Sequence, residues 1–333
     1  MSNNRILDFS LTPVKLRVRD KQLKVYDENV VRDSVPIEDI ACVVLAHPQL
    51  TVSLGLMREL FAENVPIVVC DETSIPTGLC LPLYGHYAGA RRVQLQAEAY
   101  SERPLMKRLW KQIVKHKIKN QARLLQLLFQ DDCGLLGYYQ TVKSGDSDNR
   151  EGAASKRYWA KLFDGENFRR DYNGSDSINA ALNYGYSLLR AIVARAIVSV
   201  GLCPTLGICH HNKYNGYALA DDLIEPFRPV VDCCVYGLLG EDALDNGLIP
   251  EVKVRIIRQI TSRYHIDGER VNLFETVLKA AESLVWVLKR ESNEISFPTQ
   301  MPFEPVDSAN IQLKKPAESK KKKEPRAKKK PPF

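Results

Sequence analysis

The apolar residues of this chain change period part-way along, and that change sets what it can fold into. Val14, Leu16 and Val18 alternate with Lys15, Arg17 and Arg19, and Leu23 and Val25 resume after a turn at Asp20-Lys21. A period of two with one wetted face is the pattern of paired strands. Val35-Pro36-Ile37-Glu38-Asp39 leads into the apolar run Ile40–Leu45, and a second apolar run, Ile67–Cys70, follows the break at Asn64-Val65-Pro66. Between these runs Leu54, Met57, Leu60 and Phe61 recur at helical steps, with Thr51 placed to cap them. Residues 1–82 therefore read as a small β-rich domain carrying one helix. Gly, Tyr, His and Ala then dominate, and 83–92 reads as a linker. Beyond Arg91-Arg92 the period becomes helical: Leu105, Leu109, Ile113 and Ala122 recur with Trp110, Val114 and Ile118 beside them. Further helices are expected over 151–163, 178–200, 219–228, 252–264 and 271–290. The expected class is α+β and multidomain, with an all-α domain over 93–297 and a disordered Pro/Lys-rich tail over 298–333.

Charge divides the chain differently. The net charge is +7, but residues 314–333 hold ten Lys/Arg and two Asp/Glu, which leaves 37 basic and 38 acidic residues in 1–313. The basic excess thus belongs to the tail, whose physics supports only a salt-sensitive polyanion contact. In the body, one segment stands out. Arg103, Lys107, Arg108, Lys111, Lys115, Lys117, Lys119 and Arg123 place eight cations within 21 residues of helical period. That is either a solvated face or a phosphate-tracking helix. No apolar run reaches the roughly 18 residues of a membrane span, because 188–202 is interrupted by Arg190 and Arg195. The start lacks the character of a signal peptide. The eight cysteines form no CxxC pair and several lie in apolar runs, so buried reduced thiols in a cytoplasmic protein are expected.

Polar groups that bear chemistry fall in three places. Glu151 opens Glu151-Gly152-Ala153-Ala154, at the start of a helix whose face carries Ala154, Tyr158 and Leu162. There it serves either as a helix-start acid or as a functional carboxylate. His210 and His211 follow Gly207-Ile208-Cys209 and precede Asn212-Lys213. In Leu219–Pro229, read as one helix, Asp221 and Glu225 stand at i,i+4 and Asp222 and Glu225 at i,i+3. Like charges on one face repel unless a bound cation relieves them; the plain reading is an acidic face paired with Arg228. Carboxylates plus an imidazole suit Mg²⁺ or Mn²⁺, and beside a basic helix they point to phosphodiester chemistry.

The stretches 176–186, 206–215 and 219–229, with the Glu151 motif, resemble the CRISPR-associated integrase-endonuclease family of spacer acquisition, closest to its type II branch. The N-terminal runs 35–40 and 68–72 match the same family, so the likeness spans about residues 5–297. The resemblance implies a β-rich N-terminal dimerisation domain and a helical catalytic domain. It also implies a homodimer, and a hetero-hexamer in which two such dimers flank a dimer of a small ferredoxin-like adaptation protein. Double-stranded DNA, both prespacer and CRISPR repeat, is the implied substrate, with type II effector components as further partners. By resemblance the metal ligands are Glu151, His210 and Glu225. The family spacing Gly-x-x-His selects His210, and His211 becomes a DNA neighbour. Asp222 is a supporting acid, and Lys107, Lys111, Lys115 and Lys213 are expected phosphate contacts. The expected reaction is insertion of short DNA by attack of a 3′-hydroxyl on a phosphodiester. Two alternatives remain: a metal-dependent nuclease of branched DNA in repair, and a DNA-binding scaffold with a structural triad.

Overall fold

The computed structural model describes residues 5–303 apart from 72–75, 84–87, 165, 167, 173, 175, 267–268, 299–300 and 302. Strands β1 (Arg5–Phe9), β5 (Ile40–Leu45), β7 (Ile67–Cys70) and β8 (Pro76–Cys80) form one sheet in the order β1-β5-β7-β8. Its first three strands run parallel and β8 closes it antiparallel. Strands β2 (Lys15–Arg19), β3 (Gln22–Asp27), β4 (Val30–Pro36) and β6 (Thr51–Val52) form a second sheet in the order β4-β3-β2-β6. Helix α1 (Leu54–Ala62) packs between them through Leu56 and Leu60. The run at 40–45 is apolar without alternation because β5 is covered on both sides. Val43 joins Leu16, Leu23 and Leu56, while Cys42 and Val44 face the helical core. Ser53, not Thr51, caps α1: its hydroxyl accepts from Leu56 N, while Thr51 is used in β6 beside Lys15.

The second half is helical: α2 (Gly89–Tyr100), α3 (Arg103–Phe129), α4 (Leu135–Thr141), α5 (Arg150–Leu162), α6 (Ser177–Ser199), α7 (Ala218–Leu223), α8 (Arg228–Gly240), α9 (Pro250–Thr261) and α10 (Leu273–Leu288). One hairpin, β9 (Arg263–Ile266) with β10 (Glu269–Asn272), interrupts what was expected to be all-α. Consequently α10 starts at Leu273, where Asn272 and Glu275 close a capping box, rather than at 271. Of the expected linker, 84–87 lie outside the described residues, and from Gly89 the chain is already helical. Most of the tail, 304–333, also lies outside them, but Met301 and Phe303 are buried, and the Phe303 carbonyl accepts from the Cys233 thiol. All eight cysteines are free thiols, but only Cys42 and Cys233 are buried; the other six are partly exposed. No helix among the described residues is long and apolar enough to cross a membrane.

Helix α6 is the axis of this half, packed by α8, α9 and α10 on one side and by β5 on the other. At Gly185 it packs tightly on its neighbours: an added Cβ would overlap Val231 of α8 and crowd Ile256 of α9. Gly185→Ala is therefore expected to cost about 1–3 kcal/mol by overpacking. Thermal unfolding checks this; an unchanged melting temperature contradicts the packing.

Candidate active site

Glu151 sits in the first turn of α5, but it does not cap that helix. Asp146 accepts from the Arg150 and Glu151 N–H groups at 2.8 and 3.0 Å, and Asn149 accepts from Gly152 N at 3.1 Å. The Glu151 carboxylate is thereby released to point at α3, where Lys117 Nζ donates to its Oε1 at 2.6 Å. The same ammonium lies 2.6 Å from Glu225 Oε2. Two candidate ligands, 74 positions apart in the numbering, thus meet on one cation.

Glu225 reaches this point because the segment expected as one helix is broken. Pro226 and Pro229 have no N–H to donate to the carbonyls of Asp222 and Glu225. The chain therefore leaves α7 at Leu223, makes a 3-10 turn over Glu225–Phe227 and re-enters helix as α8. Asn120 of α3 fixes that turn by donating to the Pro226 carbonyl at 2.8 Å. The break also separates the acids expected on a common face. Asp221 turns to Arg190 and Asn215, at 2.6 and 2.7 Å, and Asp222 turns inward to the 208–210 loop. Glu225 keeps the Arg228 partner at i+3, 2.9 Å from its Oε1, and its buried Oε2 has no hydrogen-bond partner despite the nearby ammonium. Burial alone would push this carboxyl up; the Arg228 and Lys117 charges outweigh it and hold the pKa at about 2. Lys117 is raised, because Glu225 and Glu151 together overcome its own desolvation.

His210 is not on a helix but in the loop between α6 and α7. Asp222, fully buried, accepts from the backbone N–H groups of Ile208, Cys209 and His210 at 2.5, 2.9 and 3.2 Å, and meets His210 Nδ1 at 2.5 Å. An ionised carboxylate can only accept, so Nδ1 carries the proton and Nε2 keeps its lone pair. The same hydrogen bond raises the His210 pKa, against the effect of partial burial. Gly207 is required here: a Cβ would fall 2.5 Å from the His210 carbonyl oxygen and 2.9 Å from Asp222 Oδ2. His210 and Glu225 line a common cavity of about 450 Å³, together with Arg170, Arg190 and Arg228. His211 faces the other way, its Nδ1 3.0 Å from the Tyr100 hydroxyl.

The oxygen-rich donor set, with the buried Glu225 carboxylate at its centre, fits the chemistry of a hard divalent ion. As the side chains stand, the carboxylates are gathered on Lys117, and among the described residues no three His, Cys, Asp or Glu side chains close on a point that could hold a metal ion. The expected phosphate contacts are unequal. Lys107 is exposed at a groove of about 610 Å³ with Arg103, Tyr100, Trp110 and His211. Lys111 is half-buried, and Lys115 is half-buried with its ammonium 4.4 Å from the Tyr139 ring, because α4 packs on α3 there. Lys213 is exposed above Tyr214.

Two groups escaped the sequence reading. Lys117 was counted only as one cation of the basic helix. Its i−4, i+3, i+4 and i+7 neighbours, Ile113, Asn120, Gln121 and Leu124, are all buried, so helical period alone puts it on the inner face. Asp232 of α8 is buried and accepts from Tyr158 of α5 at 2.7 Å and from Tyr186 of α6, tying together helices that surround the site. Burial raises its pKa from 3.8 to about 6, against the pull of the two hydroxyls and of Arg228. A carboxyl raised on folding stabilises most in its neutral form. Its contribution is complete below about pH 3.8 and is lost as pH rises through about 6. Asp232→Asn is thus expected to gain on the wild type by about 2 kcal/mol between pH 4 and pH 7. Denaturant unfolding at both values checks this, and a pH-independent difference contradicts it.

The family model for CRISPR associated protein Cas1 matches residues 11–248, the stretch holding all of these side chains. The chain belongs to the Cas1 family. The CRISPR-associated endonuclease Cas1 of Neisseria meningitidis serogroup C (strain 8013) is 32% identical over 292 residues, covering 87% of this chain and 94% of that protein. Among solved structures, a casposase bound to its integration product aligns with a TM-score of 0.71 at 21% identity, over 91% of this chain and 96% of the other. A chain of a Cas6-RT-Cas1–Cas2 complex aligns with a TM-score of 0.72 at 16% identity, over 89% of this chain and 36% of the other. At those identities the structural matches show that the fold is the Cas1 fold.

Proposed function

We propose that this Cas1-family chain is a divalent-metal-dependent DNA endonuclease and integrase that inserts short DNA fragments into a CRISPR array. The observation that carries the reading is the convergence of Glu151 and Glu225, from separate elements, on one cation beside the cavity that His210 lines. Glu151, Glu225 and His210 Nε2 would hold Mg²⁺ or Mn²⁺, the imidazole favouring Mn²⁺. Held by these three side chains, such an ion would supply Lewis-acid chemistry, activating a 3′-hydroxyl and offsetting charge on a leaving 3′-oxygen. Arg228 orients Glu225 from its other oxygen. Asp222 fixes the tautomer and direction of His210. The arginines around the cavity supply positive charge where phosphate oxygens gather.

The substrate is double-stranded DNA, as prespacer and as repeat. The working form is a homodimer joined with a small ferredoxin-like adaptation protein into a hetero-hexamer in the cytoplasm, with type II effector components as further partners. The likeness to a Cas1–Cas2 complex supports that assembly. The edge strand β4 supports dimerisation through the N-terminal domain, since it leaves Val30 and Val31 exposed. Lys107 is the best supported DNA contact; Lys111, Lys115, Lys213 and His211 are secondary ones. Lys107→Ala is expected to weaken binding alike on all sequences and to reduce the salt slope of log K by about 1. Binding isotherms over a salt series check this, and an unchanged slope contradicts the contact.

The reading is tested by supplying a labelled duplex with free 3′-ends, a repeat-bearing target, the adaptation partner and Mn²⁺. Joined product is expected, and 3′-deoxy ends should abolish it. Hydrolysis without joining would reassign the chain to the cutting of branched DNA. Binding without metal-dependent chemistry would make it a scaffold.

A further inference from the structure

Resting on the metal reading above, we infer that Lys117 is the resident counter-ion of the site: it spans Glu151 and Glu225 until a divalent ion takes its place, so that loading is an exchange of one cation for another. Lys117 Nζ is 2.6 Å from Glu151 Oε1 and 2.6 Å from Glu225 Oε2, with only 12% of the lysine side chain exposed. Arg228 adds a second cation on Glu225 Oε1. The two carboxylates therefore face two cations, and the cluster has no net charge with which to draw in a divalent ion. One cation has to leave.

The geometry singles out which. Arg228 is fixed by its Nε bond to Glu225 and by its guanidinium lying 4.5 Å from the Tyr186 ring. Lys117 carries a point charge on a flexible four-carbon stem, a group that moves easily and hydrates strongly. Its contact with Glu225 Oε2 is a close ion pair at 2.6 Å, so its departure frees this buried oxygen for an incoming ion. Lys117 is thus a positioning residue. It keeps the two carboxylates facing each other, and its departure opens the space between them.

The test is a Mn²⁺ titration of metal-stripped protein, read by the electron paramagnetic resonance of free Mn²⁺ and by the melting temperature. Lys117→Gln is expected to melt lower than the wild type without metal, because two acids then face each other without their shared cation. Its half-saturation by Mn²⁺ should fall at least about tenfold, since no ammonium has to be displaced. Lys117→Arg keeps the charge and should bind Mn²⁺ within about threefold of the wild type, by the same electrostatic argument. Equal or weaker binding by Lys117→Gln overturns the inference. Should that variant fail to fold, amine acylation of the wild type decides. Labelling of Lys117, read by peptide mass spectrometry, is expected to rise when Mn²⁺ is added, and unchanged labelling overturns the exchange. A wild type that takes up no Mn²⁺ overturns the metal reading itself. A wild type that binds Mn²⁺ without any effect of Lys117 overturns this inference alone.

Discussion

Glu225→Gln is expected to reduce strand transfer by more than about 100-fold, beyond the range typical of losing a partner outside the metal's own ligands. It is also expected to cost about 3–5 kcal/mol of stability, because the buried Arg228 loses its counter-charge and Lys117 is left with Glu151 alone. The stability loss follows from position: the carboxylate is 7% exposed, with Arg228 on one oxygen and Lys117 facing the other. Its pKa in the fold is about 2, below the ordinary 4.5, so its stabilisation is present above about pH 4.5 and is lost as pH falls towards 2. The gap between wild type and variant should therefore stay constant from pH 8 to pH 5 and narrow only in acid. Glu151→Gln separates chemistry from folding. Glu151 is more exposed, at 23%, and its ion pair is with Lys117. That variant should lose a comparable share of activity with a smaller loss of stability. A folded Glu225→Gln protein with normal strand transfer contradicts the assignment.

The fold was legible wherever burial follows period. The strand pair at 15–27 alternates because one face is wet, and the run at 40–45 does not because both faces are covered. Legibility failed where a local signal was outweighed by a neighbour. Thr51 is a good cap by type, but its backbone was already committed to pairing with β2. The expected helix over 219–228 has apolar spacing throughout, yet two prolines remove the donors that would carry it past Leu223. The hairpin at 263–272 overlaps the expected helices at 252–264 and 271–290 only at its ends, and its centre falls between them, where the sequence reading named no element.

The site was legible as residue types and illegible as geometry. Spacing put Glu225 on a face with Asp221 and Asp222. The structure sends the three acids to three different partners, and this dispersal gives Asp222 to the histidine loop. Lys117 was hidden by company: among eight cations on one helix, composition cannot distinguish the one that points inward. Asp232 was hidden because nothing local marks a buried acid; its partners Tyr158 and Tyr186 are 74 and 46 residues away.

Asp222→Ala is expected to cost as much stability as loss of the buried ligand Glu225 and a large share of activity, although Asp222 would touch neither metal nor DNA. Its carboxylate is fully buried and gathers the N–H groups of Ile208, Cys209 and His210 as well as His210 Nδ1. Alanine leaves those donors without an acceptor. At about 1–3 kcal/mol for each unsatisfied buried group, partly relieved by water reaching the loop, the expected cost is about 3–5 kcal/mol. Activity should fall about 10–100-fold, because the imidazole loses both its tautomer and its direction. Asp222→Asn should lie between the two proteins: its carbonyl oxygen can still accept, but its amide nitrogen must face backbone donors. His210→Ala supplies the comparison. That side chain is 47% exposed, so its removal should reduce strand transfer by more than about 100-fold, to a low but measurable rate, with little loss of stability. If Asp222 acts through His210, the two alanine changes together should reduce activity no further than His210→Ala alone. A double variant whose activity losses multiply would show that Asp222 serves the reaction by some route other than the histidine.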